Sequence, residues 1–108
     1  MPDLDSRPWL TQYAPGVPAD IEQTDDTLCD LLDDAVVRFA DHVALDFYGK
    51  ETTYADLGAE VARAAEVLRT QGVAAGDRVA LVLPNCPQHV VAFYAVLRLG
   101  AIVIEHNP

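Results

Sequence analysis

A chain of 108 residues is long enough for one small domain. Its 51% hydrophobic and 22% charged residues are typical of a chain that folds around a core. The formal charge of −10 argues against nucleic acid or an anionic membrane as a partner, because binding phosphates needs clustered Lys and Arg. Since no secretory leader and no run of ~20 apolar residues is present, we expect no transmembrane segment and a cytoplasmic location.

Residues 1–26 are predicted to form an extended arm, followed by a domain over residues 27–108. The arm is too broken by proline and glycine for a helix, with breakers at Pro2, Pro8, Pro15, Gly16 and Pro18. The entropy cost of ordering such an arm is offset only if its aromatic residues, Trp9 and Tyr13, dock on a surface. That surface belongs to this chain, to further sequence or to a second copy.

The domain is predicted to open with a helix and a hairpin. Thr27 and Asp30 have the spacing of a capping box, and a helix to about Ala40 follows. Its apolar face comprises Leu28, Leu31, Leu32, Ala35, Val36 and Phe39. The alternating residues 43–54, with the turn-prone pair Gly49-Lys50 between them, predict a β-hairpin.

A helix, a strand, a second helix and a second strand are predicted next. Thr53 and Asp56 repeat the capping signal, and the first of these helices ends near Gly72, with its apolar face formed by Leu57, Val61, Ala64, Ala65 and Leu68. Residues 79–83 and 101–104 are apolar without alternation, which is typical of strands covered on both faces. The helix between them, ending at Leu99, is apolar nearly all round and is expected to be buried on most sides.

Together these elements predict an α/β fold, a partial open sheet with a β-hairpin and a right-handed, parallel βαβ unit. The sequence stops at Pro108, directly after a strand that is predicted to be buried. We therefore expect residues 27–108 to be part of a truncated subdomain, with more sheet to follow.

No residue is assigned to a catalytic, cofactor-binding or metal site. The six glycines are too dispersed for a phosphate-binding loop, and Gly76-Asp77-Arg78 is interpreted as a turn. Cys86 at a helix start with His89 three residues on could act as a nucleophile and its base, but no third, orienting group is evident. We interpret Cys86 as structural.

Two further hypotheses concern the histidines. The spacing of His42, His89 and His106 matches no recurrent metal-ligand pattern. His106, between Glu105 and Asn107, follows the carboxyl end of a predicted parallel strand, where open α/β sheets tend to bind ligands. A loop leading to the next element is the simpler interpretation.

Four segments in order resemble the opening of the adenylate-forming superfamily, which includes acyl-CoA synthetases, luciferases and peptide-synthetase adenylation domains. They are Leu45-Asp46 through Thr53-Tyr54-Ala55-Asp56-Leu57, then Gly76-Asp77-Arg78-Val79-Ala80-Leu81, Leu83-Pro84-Asn85-Cys86-Pro87-Gln88 and Leu97-Arg98-Leu99-Gly100-Ala101-Ile102-Val103. The resemblance covers roughly residues 28–108. The arm, with Pro8-Trp9-Leu10, Tyr13 and Gly16-Val17-Pro18, and the ending Glu105-His106-Asn107-Pro108 look most like bacterial long-chain fatty-acid–CoA ligases.

The resemblance implies a fragment of the large amino-terminal domain of such an enzyme. A parent of this kind would use ATP, with Mg²⁺, to turn a fatty acid into an acyl adenylate, and would pass the acyl group to coenzyme A. The motifs that carry this chemistry in the family are absent from these 108 residues, so the chain alone is expected to be inactive, with no cofactor of its own.

Other interpretations stay open. The chain could serve as a self-association module, in which Trp9 and Tyr13 or an exposed sheet contact a second copy. The parent could be another adenylate-forming ligase, for a shorter or an aryl acid. The chain could also be a small independent enzyme that uses Cys86 and His89.

Overall fold

A computed structural model describes residues 4–108 of the chain. Two short 3₁₀ turns, Leu4–Ser6 and Pro8–Gln12, lie in the arm. The helices and strands that follow are α1 (Leu28–Arg38), β1 (Val43–Phe47), β2 (Lys50–Thr53), α2 (Tyr54–Thr70), β3 (Arg78–Val82), α3 (Pro87–Arg98) and β4 (Ile102–His106).

The arm differs from the extended segment that its prolines predict. Residues 1–3, which belong to the predicted arm, lie outside the described residues. Pro8 is compatible with the start of a 3₁₀ turn, because the first helical position needs no N–H. The arm also folds back on itself, since the Arg7 guanidinium donates to the Ala19 carbonyl at 2.5 Å and pairs with Asp20 at 2.8 Å. Trp9 and Tyr13 remain exposed.

The predicted capping box of α1 is confirmed. The Thr27 hydroxyl accepts from the Asp30 N–H at 3.1 Å, and the Asp30 carboxylate accepts from the Thr27 N–H at 2.8 Å. The predicted apolar face is too wide, because Leu32 is buried while Leu28 and Leu31 are about half exposed. Since α2 and α3 pack on one side of α1, only a narrow stripe of the helix is covered.

The predicted hairpin is confirmed, and β1 and β2 pair antiparallel. Its turn, however, is Tyr48-Gly49 and not Gly49-Lys50, because Lys50 pairs with Phe47 in the ladder. Tyr48 and Gly49 both have positive φ, 52° and 85°, as a two-residue turn matched to the twist of the strands requires. The Asp46 carboxylate accepts from the Gly49 N–H at 2.9 Å and holds the turn.

Helix α2 follows the sequence pattern closely. The Thr53 hydroxyl caps it by accepting from the Asp56 N–H at 3.1 Å. Leu57, Val61 and Ala65 are buried along one side. The helix ends at Thr70, and Gly72 takes the positive φ of 100° that the chain needs to leave it.

Strands β3 and β4 pair in parallel, as predicted, but their expected burial on both faces is wrong for residues 4–108. One face, with Val79, Leu81 and Val103, packs with the core. The opposite face leaves Val82, Ile102 and Ile104 exposed by 56%, 46% and 36%. Each strand is apolar on both faces, but within the described residues the covering layer, with α3 as the helix that contacts both strands, lies on one face.

Helix α3 connects the two parts of the core. Its residues Val90, Val91 and Tyr94 pack with the cluster of Leu32, Leu57 and Val61. Val96, fully buried, packs instead with Leu81 and Ala101 of the parallel sheet. The helix therefore fixes the parallel sheet relative to α1 and α2, and its first turn lies where the strands end.

Candidate functional site

The carboxyl ends of β3 and β4 meet the first turn of α3, and this edge is the candidate site. Val82 at the end of β3 is in register with His106 at the end of β4, and Leu81 with Glu105. Open α/β sheets bind ligands in the crevice outside the carboxyl ends of their strands. The predicted residues Cys86, His89 and His106 all belong to this region.

A close polar pair joins the helix to the sheet at this edge. His89 Nε2 lies 2.9 Å from Glu105 Oε2 and 3.0 Å from Oε1. An ionised carboxylate only accepts hydrogen bonds, so this contact requires a tautomer of His89 in which Nε2 is the donor. The His89 side chain is 23% exposed and that of Glu105 50%. The contact therefore lies partly sheltered from water.

Sequence reasoning missed this pair, because its members are 16 residues apart. A usable signal did exist. In a parallel βαβ unit the first turn of the helix lies above the end of the following strand. A histidine in the third helical position and an acid in the last two residues of the next strand can therefore meet.

A cavity of about 300 Å³ opens beside His89, between the hairpin and α3. It is lined by Asn85, Cys86 and His89 at the start of the helix and by Asp46 of β1, among others. The structure thus brings Cys86 and His89 together and adds Glu105, the orienting group that the sequence analysis lacked. Among the described residues, however, the Cys86 thiol makes no hydrogen bond to the His89 ring, the contact by which a base activates a nucleophile.

The three histidines lie in different local settings. His42 lies in the turn after α1, where its ring packs edge-on against that of Phe39, with the ring centroids 5.5 Å apart. His106 is exposed at the last position of β4. Between residues 4 and 108, no three His, Cys, Asp or Glu side chains are grouped so that they could hold a metal ion.

Gly76, Asp77 and Arg78 lie at the opposite, amino edge of the sheet. The Asp77 carboxylate accepts from the Ala74 N–H at 2.8 Å, and the Gly76 N–H donates to the Gly100 carbonyl at 3.0 Å. The Asp77 carbonyl accepts from the Ile102 N–H at 2.7 Å. These contacts form a turn that starts β3 beside β4.

The residues present do not fit a nucleoside triphosphate. Binding phosphates needs a run of backbone N–H groups or free cationic side chains. Four of the seven arginine and lysine side chains are engaged with carboxylates, in the pairs Arg7–Asp20, Arg38–Asp34, Arg69–Glu66 and Arg98–Asp33.

Groups with shifted pKa values lie on α1 and α2, away from the carboxyl edge. Burial raises the pKa of the Cys29 thiol, and nearby Arg98 partly offsets this. The hydrogen bond from the Thr27 N–H lowers the pKa of Asp30. The bond from Arg69 lowers the pKa of Glu66 and raises that of Arg69. These shifts come from a cap, a surface pair and burial.

Two larger hollows occur elsewhere in the described part of the chain. A groove of about 510 Å³ lies between the hairpin, α2 and α3, with Lys50 and Glu60 among its lining residues. A cavity of about 490 Å³ is lined by Cys29 and Arg98, among others, where α1 meets the end of α3. No helix within residues 4–108 is long and apolar enough to cross a bilayer.

Comparison with known proteins identifies the family. Residues 32–108 match the family model described as AMP-binding enzyme. The long-chain-fatty-acid–CoA ligase of Bacillus subtilis is 41% identical over 102 residues, which is 94% of this chain and 18% of that protein. Triostin synthetase I of Streptomyces triostinicus is 44% identical over 81 residues, 75% of this chain and 15% of its own.

The fold is also found in solved structures. The N-terminal subdomain of NpsA from Klebsiella oxytoca superposes with a TM-score of 0.72 at 30% identity, over 74% of this chain and 21% of that one. The chain therefore spans about a fifth of the length of the relatives it matches. Because the family model covers well over half of the residues, the chain belongs to the AMP-binding enzyme family.

Proposed function

We propose that the chain is the amino-terminal scaffold segment of a long-chain fatty-acid–CoA ligase. The whole enzyme would activate a fatty acid with ATP to acyl-AMP and transfer the acyl group to coenzyme A in the cytoplasm. In this proposal residues 1–26 are an arm and residues 27–108 a part of the large amino-terminal domain. The 108 residues alone are inactive.

The choice of a fatty acid as the substrate rests on how much of this chain each relative matches. The fatty-acid ligase of Bacillus subtilis is similar over 94% of the chain, so most of the arm lies inside the match. The match to triostin synthetase I covers 75%. Of these two similarities, the one to the fatty-acid ligase extends further along this chain.

The contribution of these residues is positional. The capped helices α1 and α2 pack with α3, and α3 holds two parallel strands in register. ATP, Mg²⁺ and coenzyme A would be bound by sequence outside these residues. When bound, ATP supplies the leaving group that makes the carboxylate reactive.

Each of two alternative functions is supported by one specific observation. The 44% identity to triostin synthetase I favours another adenylate-forming ligase. The exposure of Trp9 and Tyr13, together with the open sheet face, favours a self-association module. The second alternative is compatible with the ligase, since a scaffold segment can also contact a second copy.

ATP–pyrophosphate exchange tests the proposal. The assay is run with a long-chain fatty acid, a short-chain acid and an amino acid, on the 108-residue chain and on a longer polypeptide that continues past Pro108. We expect exchange only by the longer polypeptide and fastest with the long-chain acid. Exchange by the 108 residues, or preference for another acid, would contradict the proposal.

A further inference from the structure

Helix α3 is connected to its neighbours by two polar side-chain contacts, one near each end. In its first turn, His89 contacts Glu105 of β4 at 2.9 Å. At its last residue, Arg98 contacts Asp33 of α1 at 2.6 Å. The first pair lies at the carboxyl edge of the sheet and the second near the amino edge. Each contact joins a side chain of α3 to a carboxylate of a neighbouring element, and the two contacts differ in place.

The last residues of β4 have little apolar packing to fix them. Val103 is the last residue of the strand that packs with the core, and Ile104, Glu105 and His106 are exposed. Between β4 and β3 the backbone ladder still reaches Val82 and His106. The His89–Glu105 contact is thus the described side-chain contact that fixes the end of β4 to the helix.

The partner groups around His89 leave it suited to this role. Its backbone N–H donates to the Cys86 carbonyl at 3.1 Å, which fixes the helix start. The residue also lines the 300 Å³ cavity, together with Asn85 and Asp46. A carboxylate near the amino end of a helix also meets the positive end of the helix dipole. The contact with His89 and the helix dipole both favour a position of the Glu105 carboxylate beside the first turn of α3.

We infer that His89 and Glu105 are positioning residues for the ligase reaction, which set where the chain leaves the sheet at its ligand-binding edge. This inference rests on the proposed function. It depends on geometry alone. Ligands of open α/β sheets bind outside the carboxyl ends of the strands. A displacement of the end of β4 by about 1 Å would therefore move the residues that follow it at the binding edge. Neither residue is assigned contact with a substrate.

The first experiment measures amide hydrogen exchange on the 108-residue chain, at a concentration where light scattering shows a monomer, because association through the open sheet face would itself protect residues 104–106. We expect His89→Ala and Glu105→Ala each to increase exchange at residues 104–106, and the double variant to be no worse than either single one. Glu105→Gln keeps an oxygen that can accept from Nε2 and should restore most of the protection. Arg98→Met, the matched control, should leave residues 104–106 unchanged. Unchanged exchange in both alanine variants would overturn the inference.

The second experiment uses the longer polypeptide and measures kcat and KM of ATP–pyrophosphate exchange, well below the melting temperature of every variant. The alanine variants should lose between about 10- and 100-fold in kcat/KM, as misplaced substrate-positioning groups do, while Glu105→Gln and Arg98→Met stay within about twofold. Equal losses in Arg98→Met would show a general stability effect and overturn the inference. Absence of exchange by the unmutated polypeptide would instead contradict the proposed function, and hydrogen exchange would still decide the positioning role.

Discussion

Gly58 of α2 is required by a close contact with α1. A Cβ at this position would lie 2.9 Å from Val36 Cγ2 and 3.3 Å from Cγ1. Replacing a helical glycine with alanine gains about 1 kcal/mol of helix propensity, whereas overpacking costs about 1–3 kcal/mol. Because both Val36 methyl groups are close and valine has one strongly preferred rotamer in a helix, the clash should prevail. We expect Gly58→Ala to lower the free energy of unfolding by about 1 kcal/mol in urea denaturation.

The matched control removes the neighbour and keeps the substitution. In a Val36→Ala background the space is free, so Gly58→Ala should raise the free energy of unfolding by up to about 1 kcal/mol. The opposite signs in the two backgrounds would identify the contact as the cause. A stabilising Gly58→Ala in the natural sequence would contradict this account.

At the scale of an element, the first turn of α1 should depend on pH. The Asp30 carboxylate accepts the Thr27 N–H, and this bond lowers the pKa of Asp30 below its ordinary value. A carboxyl whose pKa is lower in the folded state contributes stability above its unfolded pKa, near 4, and loses it as the pH falls through the lowered value. We expect protection of the Thr27 amide, corrected for intrinsic exchange, to fall on acidification below about pH 4.

The control for this prediction is Asp30→Asn. Its side-chain oxygen can still accept from the Thr27 N–H, but it carries no proton that titrates in this range. Protection of the Thr27 amide should then be independent of pH. A pH dependence that persists in Asp30→Asn would place its origin in another carboxyl, such as Glu66, whose pKa is also lowered.

Elements were predictable from sequence where local chemistry decides them. Thr27 and Thr53 cap helices through bonds to residues three positions on, and these spacings are visible in the sequence. The hairpin turn was misplaced by one residue, because a tyrosine rarely takes the positive φ that Tyr48 adopts. Leu28 and Leu31 belong to a regular apolar pattern, but which side of α1 is covered depends on α2 and α3.

The candidate site was predictable only in part. Cys86 and His89 were singled out from one turn of sequence, and His106 from its place after a strand. The His89–Glu105 contact depends on how α3 lies across the parallel sheet, which no local pattern records. The expectation that these residues hold no phosphate-binding loop rests on sequence alone, since such loops are local in sequence.

At the scale of the whole molecule, the parallel sheet is the least complete part of what residues 4–108 form. Its strands are apolar on both faces, a composition typical of a sheet with a layer on each side. Within these residues α3 covers one face, while Val82, Ile102 and Ile104 stay exposed on the other. An exposed apolar sheet surface favours association with another surface of the same kind.

We therefore expect the 108-residue chain to self-associate as its concentration rises, and Ile104→Lys to weaken that association. The control is Val37→Lys on α1, where Val37 is 81% exposed and lies outside the sheet. Both substitutions reduce the formal charge from −10 by one, which weakens repulsion between copies and by itself favours association. Light scattering at several concentrations should then show less association for Ile104→Lys and no decrease for Val37→Lys. A monodisperse monomer of the natural sequence at high concentration would show that the open face does not drive association. Equal effects of the two substitutions would show the same, since the two variants share their change in charge and differ only in position.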